Sequence, residues 1–125
     1  MDTSAIVEVL TNGPRAMAVR EAMAAASVIL VTPVTHVETA FVMVGRFGWE
    51  RAAFDRSWRS LGLEEVPADI ALGNRAIDAF ETWGKGRSPA ALNLGDCFSY
   101  ALAAVRSVPL LFVGDDFTRT DVERP

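Results

Sequence analysis

Short apolar runs alternate along this chain with longer segments of helical periodicity, and this alternation restricts the fold more than any other feature. Residues 27–31 are rich in β-branched side chains and end before Pro33, which predicts a buried parallel strand. Residues 109–113 predict the last clear strand, and residues 63–67 predict a weak one. Strands that alternate with helices predict an α/β fold in which helices cover a central, mainly parallel sheet.

The predicted helices lie between these runs, at 4–11, after Gly13-Pro14, at about 34–47, 49–60 and 68–83, and around 98–105. The helix at 34–47 is apolar nearly all round, and such a helix is expected to be buried. In that helix Val37, Ala40, Phe41 and Val44 are expected to face the core. In the helix at 68–83 the expected core residues are Ile70, Ala76, Ile77 and Phe80, and in the helix around 98–105 they are Phe98, Ala101, Leu102 and Val105.

Composition limits the class of protein. The 125 residues are 50% hydrophobic and 22% charged, which indicates one folded domain over residues 1–125. Twelve basic and 16 acidic residues give a formal charge of −4, which argues against a protein that coats nucleic acid but allows a local basic patch. A single cysteine and a single histidine exclude an intramolecular disulfide, a thiolate zinc site and a multi-histidine site. No signal-peptide pattern or membrane-length apolar run is present, so a cytoplasmic location without membrane contact is expected.

Carboxylates stand in apolar or turn-like surroundings at four places. Asp2 precedes an apolar helix, Glu38 lies in the apolar stretch 34–42, and Asp96 lies within 94–98. The pair Asp115-Asp116 follows an apolar run that ends in Gly114. Burying an ionised carboxylate is costly unless the group is paired or coordinates a metal. Because few basic residues stand near these positions, a divalent cation is the expected partner of these acids.

Each acid also has a purely structural interpretation. Asp2 is in a position to cap a helix, and Thr35 with Glu38 fits a capping box. Asn93 to Asp96 fits the cap of another helix, and residues 114–116 fit a turn. For one acid alone the structural interpretation is at least as good. Four such acids in this order favour a shared site, and capping does not prevent metal ligation.

The same acids stand within motifs that resemble a known family. The motifs are Asp2-Thr3-Ser4-Ala5, Glu38 in its apolar helix, Gly-Asp-Cys-Phe-Ser-Tyr-Ala at 95–101 and Phe-Val-Gly-Asp-Asp-Phe at 112–117. In order, spacing and flanking residues the series resembles the PIN-domain ribonucleases, and most closely the VapC toxins of bacterial VapBC toxin–antitoxin pairs. The resemblance runs from residue 2 to the end of the chain.

This resemblance implies a three-layer α/β/α fold whose acids converge at one end of a central parallel sheet. The departure from the family pattern is a truncated first strand, because only Met1 precedes Asp2. The resemblance also implies an endoribonuclease that uses Mg²⁺ or Mn²⁺ and cuts single-stranded or loop regions of RNA, often tRNA or ribosomal RNA. The implied partners are a cognate antitoxin and a second copy of the chain in a homodimer.

The family's site residues carry over by position. Asp2, Glu38 and Asp96 match its three firmest acids, and Asp116 is preferred to Asp115 as the fourth because it directly precedes an aromatic residue. Direct metal coordination is expected from Asp2 and Asp96, with Glu38 acting through water or orienting the nucleophile and Asp116 in an outer position. Carboxylate oxygens suit these hard cations, which lower the pKa of a bound water and neutralise charge on the phosphate.

Several polar and basic residues are expected to support this site. The hydroxyls of Ser4 and Thr35 are candidates to bond the carboxylates or the scissile phosphate. Lys85 and Arg87 lie in a glycine-containing basic loop, and Arg119 is close in sequence to the fourth acid. These three are the predicted contacts to RNA phosphates.

Two other classes of protein compete with a nuclease. A non-catalytic PIN-like module that binds RNA or a protein would need a lost acid, and none of the four is lost. A phosphoacceptor domain of the response-regulator kind also gathers aspartates at strand ends. That class needs an acid pair at the first strand and a lysine after the last, whereas Asp2 is single and Lys85 precedes the last strand.

Overall fold

The computed structural model describes all 125 residues and consists mainly of helices around a very small sheet. The elements in chain order are α1 (Thr3–Leu10), α2 (Ala16–Ala25), β1 (Leu30–Val31), α3 (Pro33–Ala40), a π-helix (Phe41–Arg46), α4 (Arg51–Ser60), β2 (Glu64–Glu65), α5 (Ile70–Trp83) and α6 (Leu94–Arg106). None of these helices is long and apolar enough to cross a bilayer.

The regular sheet consists of β1 and β2 alone. The two strands pair in parallel, with Leu30 opposite Glu64 and Val31 opposite Glu65. The strands predicted at 27–31 and 63–67 therefore occur at the predicted places, and their parallel pairing is confirmed. Each strand is only two residues long.

The predicted strand at 109–113 is not a regular strand. The Asp2 N–H donates to the Leu111 carbonyl at 2.9 Å, and the Leu110 N–H donates to the Glu123 carbonyl at 2.8 Å. A single hydrogen bond to Asp2 and a single one to Glu123 do not form the ladder of a regular strand. On the other side, the Met1 ammonium donates to the Leu30 carbonyl at 2.8 Å. Met1 and Asp2 thus occupy the place of a first strand between β1 and residues 109–113, next to a mainly apolar cleft of about 390 Å³.

The side chains of residues 110–113 alternate between two hydrophobic clusters, as side chains of an extended chain do. Leu110 and Phe112 pack with the buried residues of α5 and α6. Leu111 and Val113 pack against the other cluster, which contains buried residues of α1 together with Phe54 of α4. Helices therefore cover both faces of the short sheet, and the predicted three-layer α/β/α arrangement is confirmed.

The prediction that the apolar helix at 34–47 is buried is wrong in part: Met43 is fully buried and Ala40 packs against the core, but the rest of the predicted inward stripe is exposed. Phe41 is 74% exposed and Val37 is 50% exposed, whereas Thr35 and Thr39 are fully buried. The Thr39 hydroxyl donates to the Thr35 carbonyl at 2.7 Å, and the Thr35 hydroxyl pairs with that of Thr32. Because these hydroxyls are satisfied close to their own helix, the two threonines can share the buried face with Met43, while Val37 and Phe41 face outward.

The predicted inward face of α5 is also wrong in part. Ala76 is buried as expected, but Ile70, Ile77 and Phe80 are exposed. The buried face consists of Leu72, Ala76 and Ala79, whose i, i+4, i+7 spacing places them on one stripe that packs with α6. In α6 the predicted Ala101 and Leu102 are buried, Phe98 is half-buried and Val105 is exposed. Apolar residues lie on two sides of α5, and the sequence pattern does not distinguish which side packs.

Candidate active site

Asp2 is the N-cap of α1 and is almost completely buried. Its Oδ2 accepts hydrogen bonds from the Ser4 N–H at 2.9 Å and the Ser4 hydroxyl at 2.6 Å. Its Oδ1 accepts a hydrogen bond from the hydroxyl of Ser99, in α6, at 2.8 Å. The Ser4 hydroxyl in turn accepts from the Val113 N–H at 3.1 Å. These bonds connect the start of α1 to α6 and to residues 109–113.

Glu38 reaches the same region from α3. Its Oε2 accepts a hydrogen bond from the Thr3 hydroxyl at 2.6 Å, so it lies next to the residue that follows Asp2. The predicted capping box of Thr35 and Glu38 is wrong, because the N-cap of α3 is Thr32, whose hydroxyl accepts from the Thr35 N–H. Burial raises the pKa of Glu38, the Thr3 hydroxyl lowers it, and the negative charge of Asp2 raises it further.

Asp96 lies in the first turn of α6 in a capping box with Asn93. The Asp96 N–H donates to Asn93 Oδ1 at 2.9 Å, and the Asn93 N–H donates to Asp96 Oδ2 at 2.8 Å. The predicted cap at this position is therefore confirmed. Burial raises the pKa of Asp96 to about 7; the Asn93 N–H opposes the shift, and the nearby charges of Asp2, Asp116 and Glu38 reinforce it. These four carboxylates are thus close enough to affect one another.

The two remaining acids differ in their relation to Asp96. Both Asp115 and Asp116 are exposed, in a turn that follows Gly114, which has a φ of 100°. The charge of Asp116 contributes to the raised pKa of Asp96, but that of Asp115 does not. The Asp115 carbonyl accepts hydrogen bonds from the Thr118 N–H and hydroxyl. The turn predicted here is present, and Asp116 is the member of the pair that acts on Asp96.

No basic side chain pairs with any of these acids. The ion pairs of the protein lie elsewhere, between His36 and Glu65, Arg51 and Asp55, and Arg75 and Asp78. No three His, Cys, Asp or Glu side chains converge closely enough to hold one ion between them. The donor set still fits a hard divalent cation, because it offers unpaired carboxylate oxygens that repel one another. Mg²⁺ is usually held by only one or two carboxylates and keeps several waters.

The predicted supporting residues occupy different surroundings. Ser4 bonds Asp2 directly, whereas the Thr35 hydroxyl pairs with Thr32 and contacts no acid by a hydrogen bond. Arg119 donates to the Pro89 carbonyl at 3.3 Å and so connects the turn after Asp116 to the loop before α6.

The basic loop borders a cleft beside the start of α6. Lys85 is exposed and lines a cleft of about 580 Å³ together with Asn93 and Leu94. The guanidinium of Arg87, in the same loop, lies 5.7 Å from the centre of the Phe80 ring. The loop therefore places an exposed ammonium near the helix start that carries Asp96.

Besides the capping residue Asn93, three residues that contact the acids are not among the predicted site residues: Thr3, Gly95 and Ser99. Thr3 bonds Glu38, and Gly95 lies against its carboxylate. Ser99 follows Asp96 by one helical turn, so the i, i+3 spacing was a usable signal that it shares the face of α6 that carries the acid. No local pattern pairs Thr3 with Glu38, because they are 35 residues apart in sequence.

Comparison with known proteins identifies the family of this chain. The family model described as PIN domain matches residues 1–123. Ribonuclease VapC30 of Mycobacterium tuberculosis is 42% identical over 132 residues, covering 98% of this chain and 94% of the relative. Ribonuclease VapC of Mycolicibacterium smegmatis is 43% identical over 125 residues, with 98% and 95% covered. Ribonuclease VapC42 of Mycobacterium tuberculosis is 37% identical over 124 residues, with 98% and 95% covered. Similarity over nearly the whole length of both chains shows that this chain belongs to the PIN-domain family and to its VapC group.

Proposed function

We propose that the protein is an Mg²⁺-dependent endoribonuclease that acts as the toxin of a toxin–antitoxin pair. The observation that carries the proposal is that Asp2, Glu38 and Asp116 lie near enough to Asp96 for their charges to raise its pKa, while no basic side chain pairs with any of the four. Its relatives, which are named as VapC ribonucleases, support the reaction class.

Each acid has a role in this proposal. Asp2 and Asp96 would hold Mg²⁺ or Mn²⁺, and Ser4 and Ser99 keep Asp2 oriented through its two oxygens. Glu38, on α3, would hold or orient the attacking water, and its bond to the Thr3 hydroxyl would fix the carboxylate in place. Asp116 would complete an outer position, and Asp115 is the less favoured alternative. When bound, the cation would lower the pKa of water and neutralise charge on the scissile phosphate.

RNA would approach from the side that carries the exposed cations. Lys85 lies in the cleft beside the start of α6, and Arg87 and Arg119 lie in the loops on either side of that helix. Lys and Arg side chains bind phosphates irrespective of sequence. We propose single-stranded or loop regions of tRNA or ribosomal RNA as the substrate, and therefore action in the cytoplasm. Thr35 would support the site only indirectly, through its bonds to Thr32 at the start of α3, the helix that carries Glu38.

An exposed apolar surface supports the proposed protein partners. Phe41 and Val44 on the π-helix, and Ile70 and Ile77 on α5, are all exposed. Contiguous patches of exposed apolar residues mark interaction surfaces, and Phe41 with Val44, spaced i, i+3, lie on one face of their helix. We propose that such surfaces serve a homodimer and a cognate antitoxin. Light scattering on the purified chain, with Phe41→Glu as the variant, tests the dimer: an unchanged dimer mass in that variant would remove Phe41 from the interface.

An RNA cleavage assay tests the proposed reaction. We expect wild type to cleave a single-stranded RNA with Mg²⁺ and to lose that activity in EDTA. Asp96→Asn should reduce the rate by roughly 100-fold or more, since it replaces a carboxylate that would hold the cation with a neutral amide. Asp78→Asn is the matched control, because Asp78 is exposed on α5 and pairs only with Arg75. Equal rates for wild type and Asp96→Asn would reject the proposal.

A non-catalytic PIN-like module that binds RNA or a protein is the second candidate. The observation in its favour is that no three carboxylates converge on one point. Such a module would bind the same RNA with the same affinity in Mg²⁺ and in EDTA and would leave it intact. Binding without cleavage, in wild type and Asp96→Asn alike, would select this alternative.

A further inference from the structure

Gly95, in the first turn of α6, lies directly against the carboxylate of Glu38. A Cβ atom placed on Gly95 would be 2.6 Å from Glu38 Cδ and 2.7 Å from Oε1, and it would be closer still to Oε2. No Cβ atom approaches other heavy atoms this closely, so any side chain at position 95 would have to displace the carboxylate. The contact exists only because residue 95 is glycine.

The space that Gly95 leaves open determines where Glu38 can lie. On one side its Oε2 is held by the Thr3 hydroxyl at 2.6 Å, and on the other side the carboxylate rests on the start of α6. The amino-terminal end of a helix favours a negative group through its backbone dipoles. Asp96 follows Gly95 directly, so Glu38 and Asp96 come together at this one helix start.

We infer that Gly95 is a positioning residue: its missing side chain lets the Glu38 carboxylate come from α3 to the start of α6, beside Asp96. The inference rests on the proposed function, because the convergence of the two acids matters for a metal-dependent reaction. The atoms that a side chain at position 95 would displace belong to the carboxylate end of the flexible Glu38 side chain and not to the backbone. A side chain at position 95 should therefore move the Glu38 carboxylate away from Asp96 and leave the fold intact.

The test is Gly95→Ala, compared with wild type and with Gly73→Ala. Gly73 lies inside α5, and a Cβ there would meet nothing within 4 Å. Alanine favours a helix over glycine, so neither variant should melt below wild type without metal. We expect Mn²⁺ affinity, measured by calorimetry, to fall roughly 10-fold or more in Gly95→Ala, and RNA cleavage to fall by roughly 10- to 100-fold. Gly73→Ala should match wild type in Mn²⁺ affinity.

A shorter acid at position 38 provides the second variant. In the wild-type background Glu38→Asp should weaken Mn²⁺ binding, because the carboxylate no longer reaches the start of α6. In the Gly95→Ala background the same change should cause no further loss, since the shorter side chain does not meet the added methyl group. Additive losses in the double variant would show that positions 38 and 95 act independently and would overturn the inference.

The remaining outcomes are also decisive. Wild-type Mn²⁺ affinity in Gly95→Ala would overturn the inference while leaving the proposed nuclease in place. Loss of the fold in Gly95→Ala, seen by circular dichroism, would overturn it as well, because the argument requires the carboxylate and not the backbone to move. Absence of both Mn²⁺ binding and cleavage in wild type would reject the proposed function itself.

Discussion

The starts of α1 and α6 each carry a buried aspartate, as the N-cap Asp2 in α1 and in the first turn in α6, but the two carboxylates have different hydrogen-bond partners. Asp2 receives three hydrogen bonds, two of them from serine hydroxyls, shared between its two oxygens. Asp96 receives one, from the Asn93 N–H, and burial together with neighbouring acids raises its pKa to about 7. Donors aimed at a carboxylate favour its ionised form, and burial without donors disfavours it. The comparison indicates that Asp2 is held in place by the protein, whereas Asp96 is the acid that gains most from a cation.

The same substitution should have opposite effects at these two helix starts. Asp2→Asn replaces one accepting oxygen with an NH₂ group, which cannot accept the hydrogen bonds that Ser4 or Ser99 donates. It should lower the free energy of unfolding by about 2–3 kcal/mol. Asp96→Asn keeps an acceptor for Asn93 and removes a poorly compensated charge, so at pH 8 without metal it should raise the melting temperature by roughly 3–8 °C. Urea and thermal unfolding of both variants measure this. Destabilisation of similar size at both positions would contradict the comparison.

The pH dependence of stability should come in part from Asp96. Its pKa is raised in the folded state to about 7, so between about pH 4 and pH 7 the folded chain holds a proton that the unfolded chain has released. The free energy of unfolding should therefore fall as pH rises through this range, and the burial of Glu38 acts in the same direction. Urea unfolding from pH 4 to 8 checks the slope. Asp96→Asn should flatten it, and an identical slope in that variant would assign the effect to other groups.

Ser99 should stabilise the fold through its hydrogen bond to Asp2. Ser99→Ala removes the donor to Oδ1 from a buried carboxylate and should cost about 1–2 kcal/mol. Ser60→Ala is the control, because its hydroxyl donates to the Ser57 carbonyl at the exposed end of α4, and its cost should stay below about 0.5 kcal/mol. Urea unfolding at pH 7 compares them. Equal costs would mean that the Asp2 network adds little.

The two helix starts also differ from the rest of the fold in how far they could be predicted from sequence. Helix caps are local patterns, so Asp2 and the pair Asn93 and Asp96 were recognisable as caps. The bonds that join the acids were not recognisable, because Ser99 and Asp2 are 97 residues apart. Chemistry alone suggested a shared site, and the order of motifs suggested its family.

The errors in the predicted buried faces of the helices have a common physical origin. Apolar periodicity predicts the buried faces of α3 and α5 incorrectly in part, because Thr35 and Thr39 form the buried face of α3 and two alanines with Leu72 form that of α5. Threonine can be buried when its hydroxyl bonds a nearby carbonyl, and alanine lets two helices approach closely. Exposed Phe41 and Ile70 then need another explanation, for which a protein partner is the proposal above.

Thermal unfolding with Mn²⁺ at pH 7.5 tests most directly whether the acids at the starts of α1 and α6 hold a metal ion. A ligand that binds only the folded state stabilises it by about 2.7 kcal/mol at 100 times its dissociation constant. The account predicts that saturating Mn²⁺ raises the melting temperature of wild type and of the surface control Asp78→Asn by the same amount, and that of Asp96→Asn little or not at all. An equal rise in all three proteins would contradict it.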